Sequence, residues 1–327
     1  MKLRSLDFVY VNFHSADDVC ESIKSLHAIL KGSSMNAYVH IVDNSFVESE
    51  PIDPCNLIEF SRRISSPGFH VSYQPSDSNI GFGAACNKAA RLALSSVIVF
   101  VNCDTSFSLC SYSDIDNMLR ILEDPSVAIV GPKVINENGL LHASCFSFDP
   151  VSILFKPFRH VRKINSRISQ IVPMYSSLKR RIDRITYEGM DKDSPTSVDW
   201  VSGCFLLVDR SFFNQVSGFD ERYFMYFEDV DLCRKARQCA RSVIFDPRIS
   251  IVHRAAHQSS RSKGIVRSIL FNHVARYHIA SWLKYCFKWR WDFVSKLIII
   301  LGGFGRFPRD KTPNGYSLDF SQFKHYR

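Results

Sequence analysis

Two carboxylates in this 327-residue chain directly follow apolar runs, where a strand would end. Asp43 is the residue after the run 37–42. Asp104 is the third residue after the run 97–101, behind Asn102 and Cys103. A carboxylate at such a place can accept a hydrogen bond from the imide N–H of a uracil or thymine ring, or hold a divalent cation against a diphosphate. Either cluster taken alone is also good turn chemistry, so a plain turn is the alternative.

The densest group of carboxylates comes later, where Glu228, Asp229 and Asp231 lie within four residues. They lie in the aromatic and apolar sequence FMYFEDVDL, residues 224–232. Carboxylates in an apolar setting have raised pKa values and suit general-base catalysis. The alternative is an acidic helix start, which the helix dipole favours. His253 follows another apolar run and offers a metal ligand, a base or a structural imidazole.

A third candidate is the segment NIGFGAACN, residues 79–87. Small residues such as Gly81 and Gly83 let the backbone approach a phosphate or a sugar closely, and a helix start behind them favours anions. The segment matches neither the dinucleotide-binding fingerprint nor a Walker loop, so simple helix capping is the alternative.

An alternating series of strands and helices must position these residues. Apolar runs predict strands over 6–12, 37–42, 70–73, 97–101 and 127–130, with helices between 15 and 32, over 83–94 and over 113–122. Such alternation predicts βαβ units and a mostly parallel sheet, whose ligands bind outside the carboxyl ends of the strands. We therefore expect Asp43 and Asp104 to line one crevice. Later runs predict a strand over 198–208, a helix over 229–240, strands over 242–245 and 249–252, and a helical region over 264–301.

Charge and cysteine content narrow the class of protein. The net charge is +9, and two segments carry most of the cations: 156–185 has nine Lys/Arg against one acid, and 248–311 has thirteen against two. This favours a polyanionic partner, either anionic lipid or nucleic acid, with a solvated basic surface as the alternative. The apolar runs are too short to span a membrane. Ten scattered cysteines without a C-x-x-C pair predict a reduced, cytoplasmic protein.

Together the motifs resemble the inverting family 2 glycosyltransferases of GT-A fold, especially their bacterial rhamnosyltransferase-like branch. In chain order they are VNFHS, IVDNS, NIGFGAACNKA, VFVNCDTSF, VGPKV, VDWVSGCFLLVDRSFF, GFDERYFMYFEDVDLCRKAR and IVHRAAHQSS. The resemblance implies an α/β fold of GT-A type, with a Rossmann-like, mostly parallel central sheet flanked by helices and a helical basic C-terminal region. It places the transferase domain at 1–262, divided into a nucleotide-sugar half (1–135) and an acceptor half (136–262, with a basic insertion at 150–195), before a C-terminal region at 263–327.

The resemblance also implies a role for each motif. Asp229 matches the catalytic base, with Glu228 beside it. Donor binding falls to Asp43, Asn79, Gly81, Phe82, Asn87, Asn102 and Asp104, and the sugar and acceptor pocket falls to Trp200, Gly203, Cys204 and Asp231. Asp104 and His253 match the ligands of a divalent cation, Mg²⁺ or Mn²⁺. Because Asn102 stands where the usual D-x-D motif has its first aspartate, such a cation would depend more on His253 and the diphosphate.

The implied reaction moves L-rhamnose from dTDP-L-rhamnose to a hydroxyl of a glycan or undecaprenyl-linked oligosaccharide, in O-antigen or capsule synthesis. A UDP-hexose donor is the alternative. The expected location is the cytoplasmic face of the plasma membrane, with 156–185 and 264–301 on anionic lipid. A helix at 264–301 whose aromatic face packs on the catalytic domain is the other possibility.

Two other classes of protein fit the sequence less well. A nucleotidyltransferase is disfavoured because VNFHSADD, after the first run, lacks a Gly-rich signature. A nucleic-acid-binding protein would use the basic segments but leaves the carboxylates at 228–231 unexplained, so no nucleic acid is expected.

Overall fold

The computed structural model describes residues 4–45, 56–142, 144–146, 148, 193–254 and 273–290. The predicted insertion 150–195 lies outside the described residues apart from 193–195, and the basic segment 156–185 lies wholly outside them. The chain divides into two compact units, Met1–Lys288 and Trp289–Arg327. All elements named below belong to the first unit, and the domain boundary at 262 stays a prediction.

The strands are β1 (Arg4–Asn12), β2 (Met35–Asp43), β3 (Phe69–Pro75), β4 (Val97–Val101), β5 (Thr105–Ser106), β6 (Val127–Ile135), β7 (Leu141–His142), β8 (Cys145–Phe146), β9 (Thr196–Val198), β10 (Trp200–Val201), β11 (Phe205–Asp209) and β12 (Ser242–His253). The helices are α1 (Ala16–Leu30), α2 (Leu57–Ile64), α3 (Phe82–Ala90), α4 (Tyr112–Leu122), α5 (Arg210–Gln215), α6 (Glu228–Gln238) and α7 (His273–Lys288).

The main sheet follows the order β3-β2-β1-β4-β11-β6-β12-β5. β1 pairs in parallel with β2 and β4, β2 with β3, and β6 with β12, whereas β11 and β5 run antiparallel to their neighbours. The predicted α/β fold with a mostly parallel central sheet is confirmed. Because β2 and β4 flank β1 and run in the same direction, the residues that follow them lie at one edge of the sheet.

Both faces of the sheet are covered, which explains the fully apolar runs of its central strands. On one face, alternate residues of β1 (Leu6, Phe8 and Tyr10) share a buried cluster with residues of α1, α2 and α4. On the other face, the ring of Phe100 in β4 contacts the rings of Phe213 in α5 and Phe219, at centroid distances of 5.1 and 4.8 Å.

Two predictions of strands need correction. The predicted strand 198–208 is divided among β9, β10 and β11. The break between β10 and β11 is a turn at Gly203, where the backbone approaches Asp229. The two predicted strands 242–245 and 249–252 instead form one strand, β12, with a register shift between Asp246 and Ser250. Pro247 lies in that shift, where a residue without an N–H interrupts the ladder but not the strand.

The helical character predicted for 264–301 is confirmed over its described part, α7. Within the described ranges, no helix is long and apolar enough to cross a membrane. Among the residues that the structure describes, eight cysteines are free thiols, whereas Cys20 of α1 is disulfide-bonded. The prediction of a fully reduced chain is therefore wrong at Cys20, since sequence spacing does not show which thiols meet in space.

Candidate active site

Asp43, the last residue of β2, is held from both neighbouring strands. Its Oδ1 accepts hydrogen bonds from Asn12 Nδ2 of β1 and from the N–H of Ser45, both at 2.9 Å. Its Oδ2 accepts from the hydroxyl of Tyr73 in β3 at 2.9 Å. The side chain is partly exposed. Its position at the crevice is thereby fixed, while further lone pairs can accept a hydrogen bond from a ligand.

The glycine loop before α3 lies beside Asp43. Asn44 Nδ2 donates to the Gly81 carbonyl at 3.2 Å and to Asn79 Oδ1 at 3.3 Å. Gly81 has φ +88°, and a Cβ there would lie 2.5 Å from the carbonyl oxygen of Phe224, so only glycine fits. The N–H of Phe82 donates to that same oxygen at 2.8 Å. The loop thus touches residues 218–231, which we call the acidic segment.

Asn87 of α3 joins the helix to the acidic segment. Its Nδ2 donates to the carbonyl of Phe219 at 2.9 Å and to Glu221 Oε1 at 3.0 Å, and its Oδ1 accepts from the N–H of Phe219 at 2.9 Å. A Cβ at Gly218 would clash with Asn87 Oδ1. Asn87 is buried and engaged on both sides of its amide, so contact with the donor stays a prediction.

Asn102 and Asp104 follow β4, and His253 ends β12 beside them. His253 Nε2 lies 3.0 Å from Asp104 Oδ1 and 3.2 Å from Asn102 Nδ2. Burial acts to raise the pKa of Asp104, but the hydrogen bond and charge of His253 outweigh burial and hold this pKa below its ordinary value. The structure therefore brings together Asn102, Asp104 and His253, the residues that the motifs predict to bind the diphosphate and a cation.

Asp104 and His253 are the residues here that could ligate a divalent cation. Among the described residues, no group of three or more His, Cys, Asp and Glu side chains is placed to hold a metal ion. Asp104 and His253 supply one carboxylate and one imidazole. A cation with few protein ligands takes the others from substrate phosphates and water, so this pair fits a cation that binds together with a diphosphate.

Asp229 lies in the first turn of α6 and faces the turn at Gly203. Its Oδ2 accepts from the N–H of Gly203 at 2.9 Å, and its Oδ1 accepts from the N–H of Val230 at 2.8 Å. A Cβ at Gly203 would lie 2.9 Å from the Cβ of Asp229. The next carbonyl, that of Cys204, accepts from the N–H of Asn102 at 3.0 Å. One short stretch of backbone therefore links the candidate base to the candidate cation site.

Three other predicted residues form packed walls of this region. Glu228 is buried against α3, since a Cβ at Gly83 would lie 3.6 Å from the Cβ of Glu228. Trp200 is buried and stacks on Phe146 with ring centroids 3.9 Å apart. Burial raises the pKa of the Cys204 thiol to about 12, so it stays protonated and is no nucleophile. The catalytic role predicted for Glu228 and the sugar contacts predicted for Trp200 and Cys204 stay predictions.

Asp231 has a different environment from the one that the sequence suggested. It is fully buried, with its carboxylate oxygens 2.8 Å from the Lys288 ammonium of α7 and 3.3 Å from the hydroxyl of Tyr223. The structure therefore turns this carboxylate towards α7 and not into an accessible sugar pocket.

Sequence reasoning did not single out Asn12 and Tyr73, which orient Asp43, or the residues of α7 that contact the acidic segment. Asn12 ends β1, so the rule that led to Asp43 could have found it. Neither Tyr73 nor α7 has a comparable signal, because Tyr73 lies within β3 and not at its end, and α7 contacts a remote part of the chain.

The sheet order is that of an α/β fold with a mostly parallel central sheet, and the crevice after β2 and β4 and the carboxylate at the start of α6 lie where the motifs predict a site. The chain is 39% identical over 90 residues to N-acetylglucosaminyl-diphospho-decaprenol L-rhamnosyltransferase of Mycobacterium tuberculosis. These residues are 28% of this chain and 27% of the relative. It is 38% identical over 92 residues to rhamnosyltransferase WbbL of Escherichia coli, 28% of this chain and 32% of the relative. The chain thus aligns with less than a third of the length of each.

A longer and weaker match, 22% identical over 240 residues, covers 72% of this chain and 62% of the low-salt glycan biosynthesis hexosyltransferase Agl10 of Haloferax volcanii. No family model matches the sequence. A solved structure of mannosyltransferase PcManGT from Pyrobaculum calidifontis, in complex with GDP-Man and Mn²⁺, aligns with a TM-score of 0.48 and 14% identity over 93% of this chain and 76% of that chain. The two rhamnosyltransferase relatives confirm the predicted resemblance to rhamnosyltransferase-like family 2 glycosyltransferases.

Proposed function

We propose that the chain is an inverting glycosyltransferase that moves L-rhamnose from dTDP-L-rhamnose to a hydroxyl of a glycan or lipid-linked oligosaccharide in bacterial surface polysaccharide synthesis. The observation that carries this proposal is the linked geometry of the site. A partly exposed Asp229 is fixed by the N–H of Gly203, and the next carbonyl leads to Asn102 and so to the pair Asp104–His253. The names of the two rhamnosyltransferase relatives support the choice of sugar.

In the proposed reaction, Asp43 accepts a hydrogen bond from the imide N–H of the thymine ring, and the loop at Gly81 lies along the sugar and diphosphate. The acceptor hydroxyl attacks the anomeric carbon opposite the diphosphate. Asp229 takes the hydroxyl proton as the new C–O bond forms and the bond to the diphosphate breaks, so the anomeric centre inverts. A divalent cation at Asp104 and His253 would supply positive charge to the leaving diphosphate.

A UDP-hexose donor is the second candidate, with the same fold and mechanism. The sequence match over 72% of this chain is to a protein named as a hexosyltransferase, a class that is not limited to rhamnose. Asp43 suits both donors, because uracil and thymine present the same imide N–H.

A donor screen separates the two candidates. Purified protein is mixed with dTDP-rhamnose, UDP-glucose, UDP-galactose, UDP-N-acetylglucosamine or GDP-mannose, each with and without Mg²⁺ or Mn²⁺, and thermal shift and slow donor hydrolysis are measured. A ligand at 100 times its Kd adds about 2.7 kcal/mol to the free energy of unfolding, which is a readable shift. We expect selective stabilisation by dTDP-rhamnose. Selective stabilisation by a UDP-sugar favours the second candidate, and no response to any donor contradicts both.

The role of Asp229 is tested by Asp229→Asn, which keeps the size of the side chain but removes its ability to take a proton. We expect transfer to fall by about 10²–10⁴-fold, because a hydroxyl is a poor nucleophile without a base. Donor affinity, measured by titration calorimetry, should be retained. Asp124→Asn, at an exposed aspartate after α4, is the matched control. Near-normal turnover of Asp229→Asn with donor bound would contradict the mechanism.

Contact with the inner face of an anionic membrane is the last part of the proposal. Leu283 and Phe287 of α7 are 55% and 72% exposed, and the cation Arg276 of the same helix is exposed too. An exposed apolar side beside basic residues suits the surface of a bilayer. Liposome flotation with anionic and neutral lipids tests this, and equal recovery with both lipids would contradict it.

A further inference from the structure

One face of α7 lines the acidic segment along most of its length. Its members recur at helical spacing: Tyr277, His278, Ser281, Lys284, Tyr285 and Lys288. Ser281 Oγ donates to the carbonyl of Met225 at 2.8 Å, and Lys284 Nζ donates to the carbonyl of Arg222 at 2.6 Å. The helix therefore hydrogen-bonds the backbone of the acidic segment. These bonds fix the path of that backbone, in addition to the positions of the side chains.

The backbone under α7 is strained. Tyr226 and Phe227 are consecutive non-glycine residues with φ +71° and +70°, a conformation that a Cβ disfavours. The ring of His278 contacts both, at 4.8 and 5.6 Å between centroids, and the ring of Tyr285 contacts Phe227 at 5.3 Å. Phe227 is the residue from which α6 starts. The conformation of this turn therefore sets where the first turn of α6, with Asp229, points.

Lys288 connects the two ends of the acidic segment. Its ammonium lies 2.7 Å from Asp220 Oδ2, near the start of the segment, and 2.8 Å from the carboxylate of Asp231, at its end. Tyr223, between them, donates its hydroxyl to Asp231. A single cation from a distant helix thus holds both ends of the segment that carries the candidate base.

The opposite side of the same segment is held by α3 and its loop, through Asn87 and the N–H of Phe82. We infer that α7 is a positioning element for the general base: Lys288 and Ser281 hold the strained turn against α3 and so fix where Asp229 meets the acceptor hydroxyl. This inference rests on the proposed function, in which Asp229 is the base.

Lys288→Met and Ser281→Ala, with Lys288→Arg as the rescue variant, test this inference in the full-length chain. Arg4→Met is the matched control, because Arg4 also bridges two carboxylates, Asp116 and Glu123. The measurements are kcat for transfer, the Kd for dTDP, and amide hydrogen exchange over 222–230 and over β1 and β4.

We expect Lys288→Met to lower kcat by about 10–100-fold, since a small misplacement of a catalytic group costs up to about 10²-fold. The Kd for dTDP should stay within about two-fold, because a positioning residue acts on the chemical step. Exchange should become faster over 222–230 and stay unchanged in β1 and β4. Lys288→Arg should recover part of kcat, and Arg4→Met should match the wild type.

If Lys288→Met does not fold, Ser281→Ala tests the inference instead, because Ser281→Ala removes only one hydrogen bond. We expect it to give a several-fold loss of kcat and faster exchange over 222–230. Wild-type kcat and wild-type exchange in the variants would overturn the inference. If the wild-type protein transfers no sugar from any donor, the proposed function fails; exchange over 222–230 still reports separately whether α7 holds the acidic segment.

Discussion

The donor end of the candidate site and the acidic segment are built by different kinds of contact. Asp43 is held by Asn12 and Tyr73, which lie on the strands on either side of it. The acidic segment is held by Asn87 and Lys288, which lie more than fifty residues away along the chain. Neighbouring strands are fixed by their ladder, whereas remote contacts depend on how whole elements pack.

This difference predicts two kinds of failure. A change in the sheet region should lower the stability of the fold and leave the chemistry of each folded molecule intact. A change in the contacts of the acidic segment should lower the turnover of each folded molecule, whatever it costs in stability. The two regions meet at Gly81.

Gly81→Ala should have the largest effect on stability, because Gly81 is where the donor loop touches the acidic segment. The positive φ costs about 1–2 kcal/mol for a residue with a Cβ. The clash with the Phe224 carbonyl adds about 1–3 kcal/mol of overpacking. We expect urea unfolding to show both losses, together with weaker binding of dTDP.

Gly32→Ala is the matched control for this prediction. Gly32 has φ +76°, and no atom of the described structure lies within 4 Å of a Cβ built there. It should therefore show only the backbone cost, about 1–2 kcal/mol. Equal losses in the two variants would show that the close approach to Phe224 contributes nothing, and the two regions would then not be coupled at this point.

Asp7 tests the sheet region through its pH dependence. This carboxylate of β1 is buried and accepts from His40 Nε2 at 2.7 Å and from the N–H groups of Leu94 and Ser95 at 3.1 and 2.7 Å. Burial acts to raise the pKa of Asp7, but the hydrogen bonds from His40 and Ser95 outweigh burial and hold this pKa below its ordinary value. The ionised form therefore stabilises the fold above about pH 4, and this stabilisation is lost as the pH falls through the folded-state pKa.

Asp7→Asn should accordingly lower the free energy of unfolding at pH 7 by about 1–3 kcal/mol, the cost of leaving buried groups poorly paired. The difference from the wild type should shrink below about pH 4, where the unfolded carboxyl protonates. The measurement is urea unfolding across this range, with kcat per folded molecule determined at pH 7. A constant difference at all pH values, or a loss of kcat, would contradict the assignment of Asp7 to stability alone.

The positions of Asp43 and Asp104 after their strands could be predicted because the end of an apolar run can be located from the local sequence. Asp43 and Asp104 follow apolar runs, and parallel pairing brings the ends of such runs to one edge. The acidic segment was only partly predictable. Asp229 and Asp231 are the same residue type two positions apart, but helical rotation is about 100° per residue, so they point in nearly opposite directions. One faces Gly203, and the other faces α7.

Rotation about α6 alone would not have shown which of these two carboxylates faces the crevice. That depends on where Gly203 and Lys288 lie, and both are brought to α6 by folding of remote parts of the chain. Asn87 illustrates the same limit. Its motif indicates a donor loop, while its side chain is engaged by the backbone of Phe219, more than a hundred residues away.

Arg4→Met should have the smallest effect, and its value lies in the comparison with Lys288. Each cation bridges two carboxylates. Arg4 is 30% exposed and pairs with an exposed Glu123, whereas Lys288 is 20% exposed and pairs with an Asp231 that is fully buried. Exposed pairs contribute about 0–1 kcal/mol and are screened by salt, because water solvates each charge once the partner is gone. A buried carboxylate cannot recover its hydration in this way.

We therefore expect Arg4→Met to change the free energy of unfolding by at most about 1 kcal/mol, with a smaller change at high salt and wild-type kcat. Lys288→Met should lower both the free energy of unfolding and kcat by more than Arg4→Met does. Urea unfolding at low and high salt, with kcat measured on the same preparations, makes the comparison. If the two variants lost equal stability and kept equal kcat, then neither the burial of Asp231 nor its nearness to the candidate base would matter. The contrast between the two regions would then be wrong.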